Sequence, residues 1–487
     1  MSCHCLHGSM GRTRVVATIG PASDSDEIVR ALVEGGLDVA RLNYSHGDHA
    51  GKNETYERLR RIEKESGRPL GILADLPGPK LRLGRFEGHV DLARGDEIDL
   101  ICGRDEGLDN GLPVAWAGLS ADLRVGDPIL LADGLVRLRV IKTPGTVGSR
   151  VTCVVEDGGK MTQRKGINVP STMVDLPAVG PYDKECLAHA LSLGVDFVAV
   201  SYVRTPEDLI PAKEMIEEAG VHTWIIAKIE HPSALKHLVE IVDIADVVMV
   251  ARGDLGVEIP MEQVPAAQEK IVLTCLQRGK PVIVATQMLE SMVENPRPTR
   301  AEVSDVATAI RQGASGIMLS GETAGGDHPV AALQTMVKIA TAVDEVISEL
   351  PPPPALATYK STRAVAGAAV QLARDVKADH IIVATEHGNA AKLVAAYRPD
   401  MPVTAMTDRV RAARRTTILP GVHGIVVDQM PRARDTIGSA TAALFADGRL
   451  QAGNIIIAVS GSPEAITGRT CSIRMLQIGD QGTLNDL

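Results

Sequence analysis

Aromatic side chains are scarce: 2% of 487 residues, with 2 Trp, 6 Tyr and 3 Phe. Any core must therefore be aliphatic, which a hydrophobic content of 45% allows. Positive charge is also short, with 51 Lys and Arg against 61 Asp and Glu, a net charge of −10. An acidic chain argues against a general nucleic-acid or anionic-membrane partner and confines basic groups to local sites. No apolar run approaches the roughly 20 residues of a membrane span. The opening residues, MSCHCLHGSMGRTR, have no apolar core of the signal-peptide kind. A cytoplasmic location is the expectation. The seven cysteines are odd in number and include no CxxC pair, which speaks against a disulfide framework. Cys3, His4, Cys5 and His7 are metal-ligand types, but no second cluster stands near them. No GxGxxG occurs, so dinucleotide binding has no support.

What is present is an alternation of short aliphatic runs and helical stretches. The runs are 14–20, 38–43, 70–76, 196–202, 224–230, 247–252, 281–288 and 316–322. Eight such units predict a (β/α)8 TIM barrel, with its site at the C-terminal strand ends. The gap after the third run is too long for one helix. Residues 77–176 instead hold alternating pieces with Gly and Asp turns, such as VDLARGDEIDLI and SRVTCVVEDGG. These predict an inserted small β-barrel domain hanging over the site as a lid. Pro351–Pro354 mark a stiff linker. The expected division is an arm over 1–13, a barrel over 14–76 and 177–350, the lid, and a C-terminal α/β domain over 356–487.

The densest chemistry lies between Trp224 and Pro260. WIIAKIEH ends a buried strand in Lys228 and Glu230, and VVMVARGD ends the next in Arg252, Gly253 and Asp254. Two carboxylates on one sheet edge suit a divalent cation such as Mg²⁺, with substrate phosphate and water completing its shell. Lys228 would act beside it as a point charge for a phosphoryl group or an oxyanion. ARLNYSHG places Arg41, Asn43 and Ser45 at alternate positions, predicted to face one way while the chain stays extended, with His46 following. Arg41 suits a bidentate grip on phosphate. ADLPGPKLRLG carries Asp75, a stiff Pro77–Gly78–Pro79 hinge, Lys80 and Arg82. Thr286 lies at the end of the seventh run, with an amphipathic helix and a rigid loop predicted after it. Ser320 and Glu322 end the eighth and could relay a proton, although Glu322 could equally begin a helix.

The segments RTRVVATIGPAS, GLDVARLNYSHG, KGINVPSTMVDLPAV, AKIEH, MVARGDLGVEIP, ATQMLESMVENPRPTRAEVSDVA and SGETA resemble pyruvate kinases. The resemblance implies phosphoryl transfer from phosphoenolpyruvate to ADP by a homotetramer that uses Mg²⁺ or Mn²⁺. It implies Glu230 and Asp254 as metal ligands and Lys228 as the group facing the phosphoryl and the enolate. Arg41 then grips phosphate, and Gly253, Asp254 and Thr286 hold the substrate carboxylate. Thr286, Ser320 and Glu322 are positions from which a proton reaches the enolate, with the donor left open. Asn43, His46, Arg82 and Lys165 match the nucleotide side, and Asp133 is a lid residue that could cross the cleft. Asn43, Ser45 and Asp75 match the family's monovalent-cation site. The segment DLPGPKLR departs from the potassium-dependent DTKGPEIR, however, so Lys80 stands where Glu is usual. That swap changes the local charge by two, so the expectation is that Lys80 replaces K⁺. The rival readings are a Mg²⁺-dependent pyruvate-enolate lyase or aldolase barrel and a catalytically dead sensor.

Overall fold

A computed structural model of the chain describes residues 11–347 and 360–487, apart from 80, 109–110, 133, 171, 173–174, 429–432 and 462–469. Cys3, His4, Cys5, His7, Lys80, Asp133 and Pro351–Pro354 lie outside the described residues.

All eight aliphatic runs form strands: Arg14–Thr18, Val39–Asn43, Gly71–Asp75, Phe197–Val200, Trp224–Ile229, Val247–Ala251, Val282–Ala285 and Gly316–Leu319. We call them strands one to eight. They pair in parallel in that order, and strand eight returns to strand one through Arg14↔Gly316 to Ala17↔Leu319. The barrel is therefore closed. Near-continuous Val, Ile and Leu is what a parallel strand buried on both faces requires. Helices pack outside it, their starts set by short polar side chains. Ser25 Oγ accepts from Ile28 N, Asp48 Oδ1 from Gly51 N, and Thr299 and Glu302 form a reciprocal capping box.

Alternation along the strands decides what reaches the inside. Val16, Val39, Leu73, Phe197, Ala199, Trp224 and Ile226 belong to one apolar cluster, while their neighbours Val15, Ala40, Ile72, Val198 and Ile225 belong to another facing the helices. Continuing the inner parity by two residues brings Thr18, Arg41, Asp75, Ser201 and Lys228 to the top layer of the barrel interior. At the other end the inner cluster runs on through the barrel floor into Ala366, Val370, Ile381 and Ile418 of the C-terminal domain.

The lid holds a six-stranded sheet with edge strands Ile167–Asn168 and Leu112–Val114. Antiparallel bridges Arg82↔Gly166 and Leu83↔Val114 tie those two edges together, which closes the expected small barrel. The hinge is held at Gly78. Its φ is +70°, and a Cβ there would lie 2.6 Å from the Ser201 Cβ. Gly78 N also donates to Asp183 Oδ1 at 2.7 Å. In the C-terminal domain, Val422–Val426, Val403–Thr407, His380–Ala384 and Ile455–Gly461 run parallel in that order, followed by antiparallel Thr470–Ile478 and Leu484–Asp486.

Candidate active site

The top layer of the barrel interior is a connected chain of charge. Lys228 Nζ lies 2.9 Å from Glu230 Oε1 and 3.2 Å from Asp75 Oδ1, and donates to Ser201 Oγ at 2.7 Å. Ser201 Oγ donates onward to Leu76 O at 2.7 Å. Arg41 brings Nε and a terminal nitrogen each to 2.7 Å from Asp75 Oδ2, and its other terminal nitrogen donates to Thr18 Oγ1 at 2.9 Å. Asp75 and Glu230 are each 1% exposed and Lys228 is 9% exposed. The sequence reading put Lys228 beside the cation expected at Glu230 and Asp254; its two carboxylate contacts are Glu230 and Asp75.

Burial is the largest single influence on Lys228 and works against its charge, yet Asp75 and Glu230 outweigh it and hold the ammonium above the ordinary lysine range. Burial lifts the Glu230 carboxyl to about 7, opposed by Lys228 and reinforced by Asp254. For Asp75 burial again opposes the charge, but Lys228 and Arg41 prevail and hold it below its usual value.

Asp254 sits in the first turn of helix Arg252–Glu258, directly after strand six. Glu230 Oε2 accepts from Tyr202 N at 2.8 Å, while Oε1 takes no directed hydrogen bond beside its ion pair. Among the described residues no group of three or more His, Cys, Asp or Glu converges. Two carboxylates, one with an oxygen that only the Lys228 ammonium faces among the described residues, fit a hard cation that keeps water and substrate oxygens in its shell, as Mg²⁺ does.

Thr286 and Gln287 follow strand seven with φ of +70° and +53°, two successive left-handed residues that are not glycine. Arg252 pins them, donating to Thr286 O at 2.8 Å and Gln287 O at 3.0 Å while pairing with Asp305 at 2.6 Å. Thr286 Oγ1 accepts from Gly253 N at 2.7 Å and donates to Ala285 O at 2.6 Å, so its proton is already engaged. Ser320 lies just before helix Gly321–Ala324. Glu322 is fully buried and accepts from Ser320 N at 2.7 Å and Leu289 N at 3.0 Å. Ser320 Oγ itself has no hydrogen-bond partner among the described residues.

Two family models match the chain: "Pyruvate kinase, barrel domain" over residues 10–333 and "Pyruvate kinase, alpha/beta domain" over residues 363–476. Pyruvate kinase of Mycobacterium intracellulare is 40% identical over 472 residues, 96% of this chain and 99% of that protein. That of Sporosarcina psychrophila is 38% identical over 97% of this chain and 81% of its own. A crystal structure of a pyruvate kinase from Cryptosporidium parvum superposes with a TM-score of 0.89 at 32% identity, covering 96% of each chain. The chain belongs to the pyruvate kinase family. Membership does not favour the lyase or aldolase alternative.

Two features of this pyruvate kinase fold depart from the sequence reading. Strand two ends at Asn43, and Asn43 Oδ1 accepts from Ser45 N at 3.0 Å in a tight turn. Ser45 therefore does not extend the row formed by Arg41 and Asn43, and both it and His46 are exposed. After Thr286 comes the short 3-10 helix Glu290–Val293, and the longer helix Arg300–Gln312 follows the proline-bearing loop instead of preceding it. At Asp75, Arg41 and Lys228 are the cations in contact among the described residues, and the expected role of Lys80 lies outside them. In the lid, Arg82 donates to Arg164 O at 3.1 Å and Leu83 N donates to Lys165 O at 2.9 Å, so Arg82 and Lys165 are neighbours. Sequence reasoning missed Asn168, Tyr202 and Glu258, which meet between lid and barrel. No spacing rule links positions so far apart in the chain.

Proposed function

We propose that the chain transfers the phosphoryl group of phosphoenolpyruvate to ADP, giving ATP and pyruvate. The observation that carries this reading is Lys228, buried at the barrel rim and kept charged by Glu230 and Asp75. A fixed ammonium in a place sheltered from water stabilises negative charge on the phosphoryl in transit and on the enolate it leaves. Arg41 turns its guanidinium toward phosphate oxygens. Gly253, Asp254 and Thr286 receive the substrate carboxylate. The enolate then takes a proton at its methylene carbon. We take Ser320 as the donor, because its hydroxyl has no hydrogen-bond partner among the described residues while that of Thr286 donates to Ala285 O. Glu322 holds Ser320 by its backbone N–H. Asn43, His46, Arg82 and Lys165 form the nucleotide side.

Glu230 and Asp254 would hold Mg²⁺ or Mn²⁺, which when bound neutralises charge on the substrate oxygens. Our reading gives K⁺ no required role: Asp75 already balances two fixed cations, and Lys80 adds a third charge nearby in sequence. It also includes a homotetramer, a cytoplasmic location, and neither nucleic-acid nor membrane partners. No described helix is long and apolar enough to cross a membrane. The test is a coupled assay of pyruvate formation from phosphoenolpyruvate. Dependence on both ADP and Mg²⁺ is expected, and pyruvate formed without ADP would overturn the reading.

A further inference from the structure

Three polar side chains meet in the seam where the lid returns to the barrel. Asn168 Nδ2 donates to Glu258 Oε1 at 2.8 Å and to the Tyr202 hydroxyl at 2.9 Å. The Tyr202 hydroxyl in turn donates to Glu258 Oε1 at 3.4 Å. Asn168 is 8% exposed and Glu258 6%. Burying polar groups in such a seam is costly unless they are matched, so the arrangement specifies one seating of the lid over others.

Each member of the knot reaches the site by a short route. Asn168 ends the lid strand Ile167–Asn168, which pairs with Leu130 and Leu131 of the lid sheet. Glu258 closes helix Arg252–Glu258, one turn beyond Asp254. Tyr202 has a φ of +57°, a conformation uncommon for a bulky residue, and from it the backbone N–H donates to Glu230 Oε2 at 2.8 Å. The lid, the helix of Asp254 and the support of Glu230 thus share one hydrogen-bonded cluster.

We propose that Asn168 and Glu258 are positioning residues, whose bond ties the seating of the lid to the separation of Glu230 and Asp254 and so to the affinity for a divalent cation. The proposal rests on the reading of those two carboxylates as the cation's ligands. Groups that orient a metal's ligands typically change its affinity by tenfold or more without touching it; the Tyr202 N–H does so at Glu230, and Asn168 and Glu258 act through Tyr202 and through the helix that carries Asp254. Tyr202 contributes less, because removing its hydroxyl leaves the 2.8 Å bond in place.

The test is Mn²⁺ binding to the full chain, read by electron paramagnetic resonance without substrate, beside kcat and KM. Asn168→Leu and Glu258→Leu should each raise the Mn²⁺ dissociation constant about tenfold. Both should lower kcat while leaving KM for phosphoenolpyruvate at saturating Mn²⁺ nearly unchanged. Glu258→Gln still accepts from Asn168 and should bind Mn²⁺ like the wild type. Tyr202→Phe should cost about twofold. The double Leu variant should be no worse than the worse single one, since both break the same bond. Unchanged Mn²⁺ affinity in both Leu variants, additive losses in the double variant, or a Glu258→Gln loss equal to that of Glu258→Leu would each overturn the proposal. Glu230→Gln separates the two layers. If Mn²⁺ binding survives it, the ligand reading fails and the proposal with it. If Glu230→Gln abolishes binding while the Leu variants bind normally, the proposal alone fails.

Discussion

Strand five shows both ends of the barrel within six residues, Trp224 to Ile229. At the floor, Trp224 is 5% exposed beneath the C-terminal domain, with Lys392 Nζ 4.4 Å and Arg415 Cζ 5.9 Å from its ring. At the rim, Lys228 stands among carboxylates. Both ends bury cations, but the surroundings act on them in opposite directions. Burial lowers Arg415 to about 10 despite Asp196 and Asp246, and lowers Lys280 at the floor to about 8 with Lys392 adding to the effect. Lys228 is raised. At the floor, which a second domain covers, burial prevails over the neighbouring acids; at the rim the acids prevail over burial. Depth of burial does not distinguish the two ends; the balance of burial against partner charge does.

Lys228→Met tests the rim most severely. kcat and kcat/KM should fall together by about 1,000-fold, as for a transition-state contact. The substitution also strands Asp75 and Glu230, so stability should drop by about 3 kcal/mol and recover in part with Mg²⁺, read by thermal melts. Near-wild-type kcat would remove Lys228 from the chemistry. Ser320→Ala should lower kcat about 100-fold. Its Oγ has no hydrogen-bond partner among the described residues, so melts should stay within about 0.5 kcal/mol of wild type. A stable variant with full activity would move the proton source elsewhere.

The floor should respond in the opposite way. Trp224→Ala should cost about 4 kcal/mol of stability. Activity per folded molecule should stay within about twofold, since no rim contact is lost. A loss of kcat like that of Ser320→Ala would break the contrast. Acid should also act through the C-terminal domain. His380 is buried against Thr404 Oγ1 at 2.7 Å, and burial lowers it to about 4 from 6.5. A depressed histidine favours the neutral form in the fold. Its contribution is full above pH 6.5 and is lost as pH falls from 6.5 toward 4, by up to about 3 kcal/mol. Denaturant melts across that window should show the loss, and His380→Gln should flatten it; an unchanged slope would refute the assignment. The smallest effect expected is that of K⁺. Activity in buffer with a bulky organic cation should rise little on titration with KCl, and strong stimulation would show that Asp75 needs a further cation.

Much of the rim was legible because chemistry follows a buried strand at once. Ile-Ile-Ala-Lys-Ile-Glu is a strand and a site in six letters, and parity alone brings Arg41, Asp75, Ser201 and Lys228 to one layer. The turn at Asn43 was not legible, because an Asn side chain capping its own loop competes with an extended chain and the outcome is local geometry. The left-handed Tyr202 and Thr286 were hidden for a different reason. Neither is a residue that seeks that conformation, so surrounding contacts impose it. The floor read only as an apolar run. Trp224, Arg415 and Lys392 come together through domain docking, which periodicity within one segment does not encode.

The central claim is that the rim moves a phosphoryl group between two substrates. Phosphorus NMR of the chain with phosphoenolpyruvate, ADP and Mg²⁺ follows that group directly. The account predicts that the phosphoenolpyruvate signal declines as the γ-phosphate signal of ATP grows in equal amount, and that Lys228→Met slows both. Release of the same phosphorus as inorganic phosphate, or consumption of phosphoenolpyruvate at an equal rate without ADP, would contradict it.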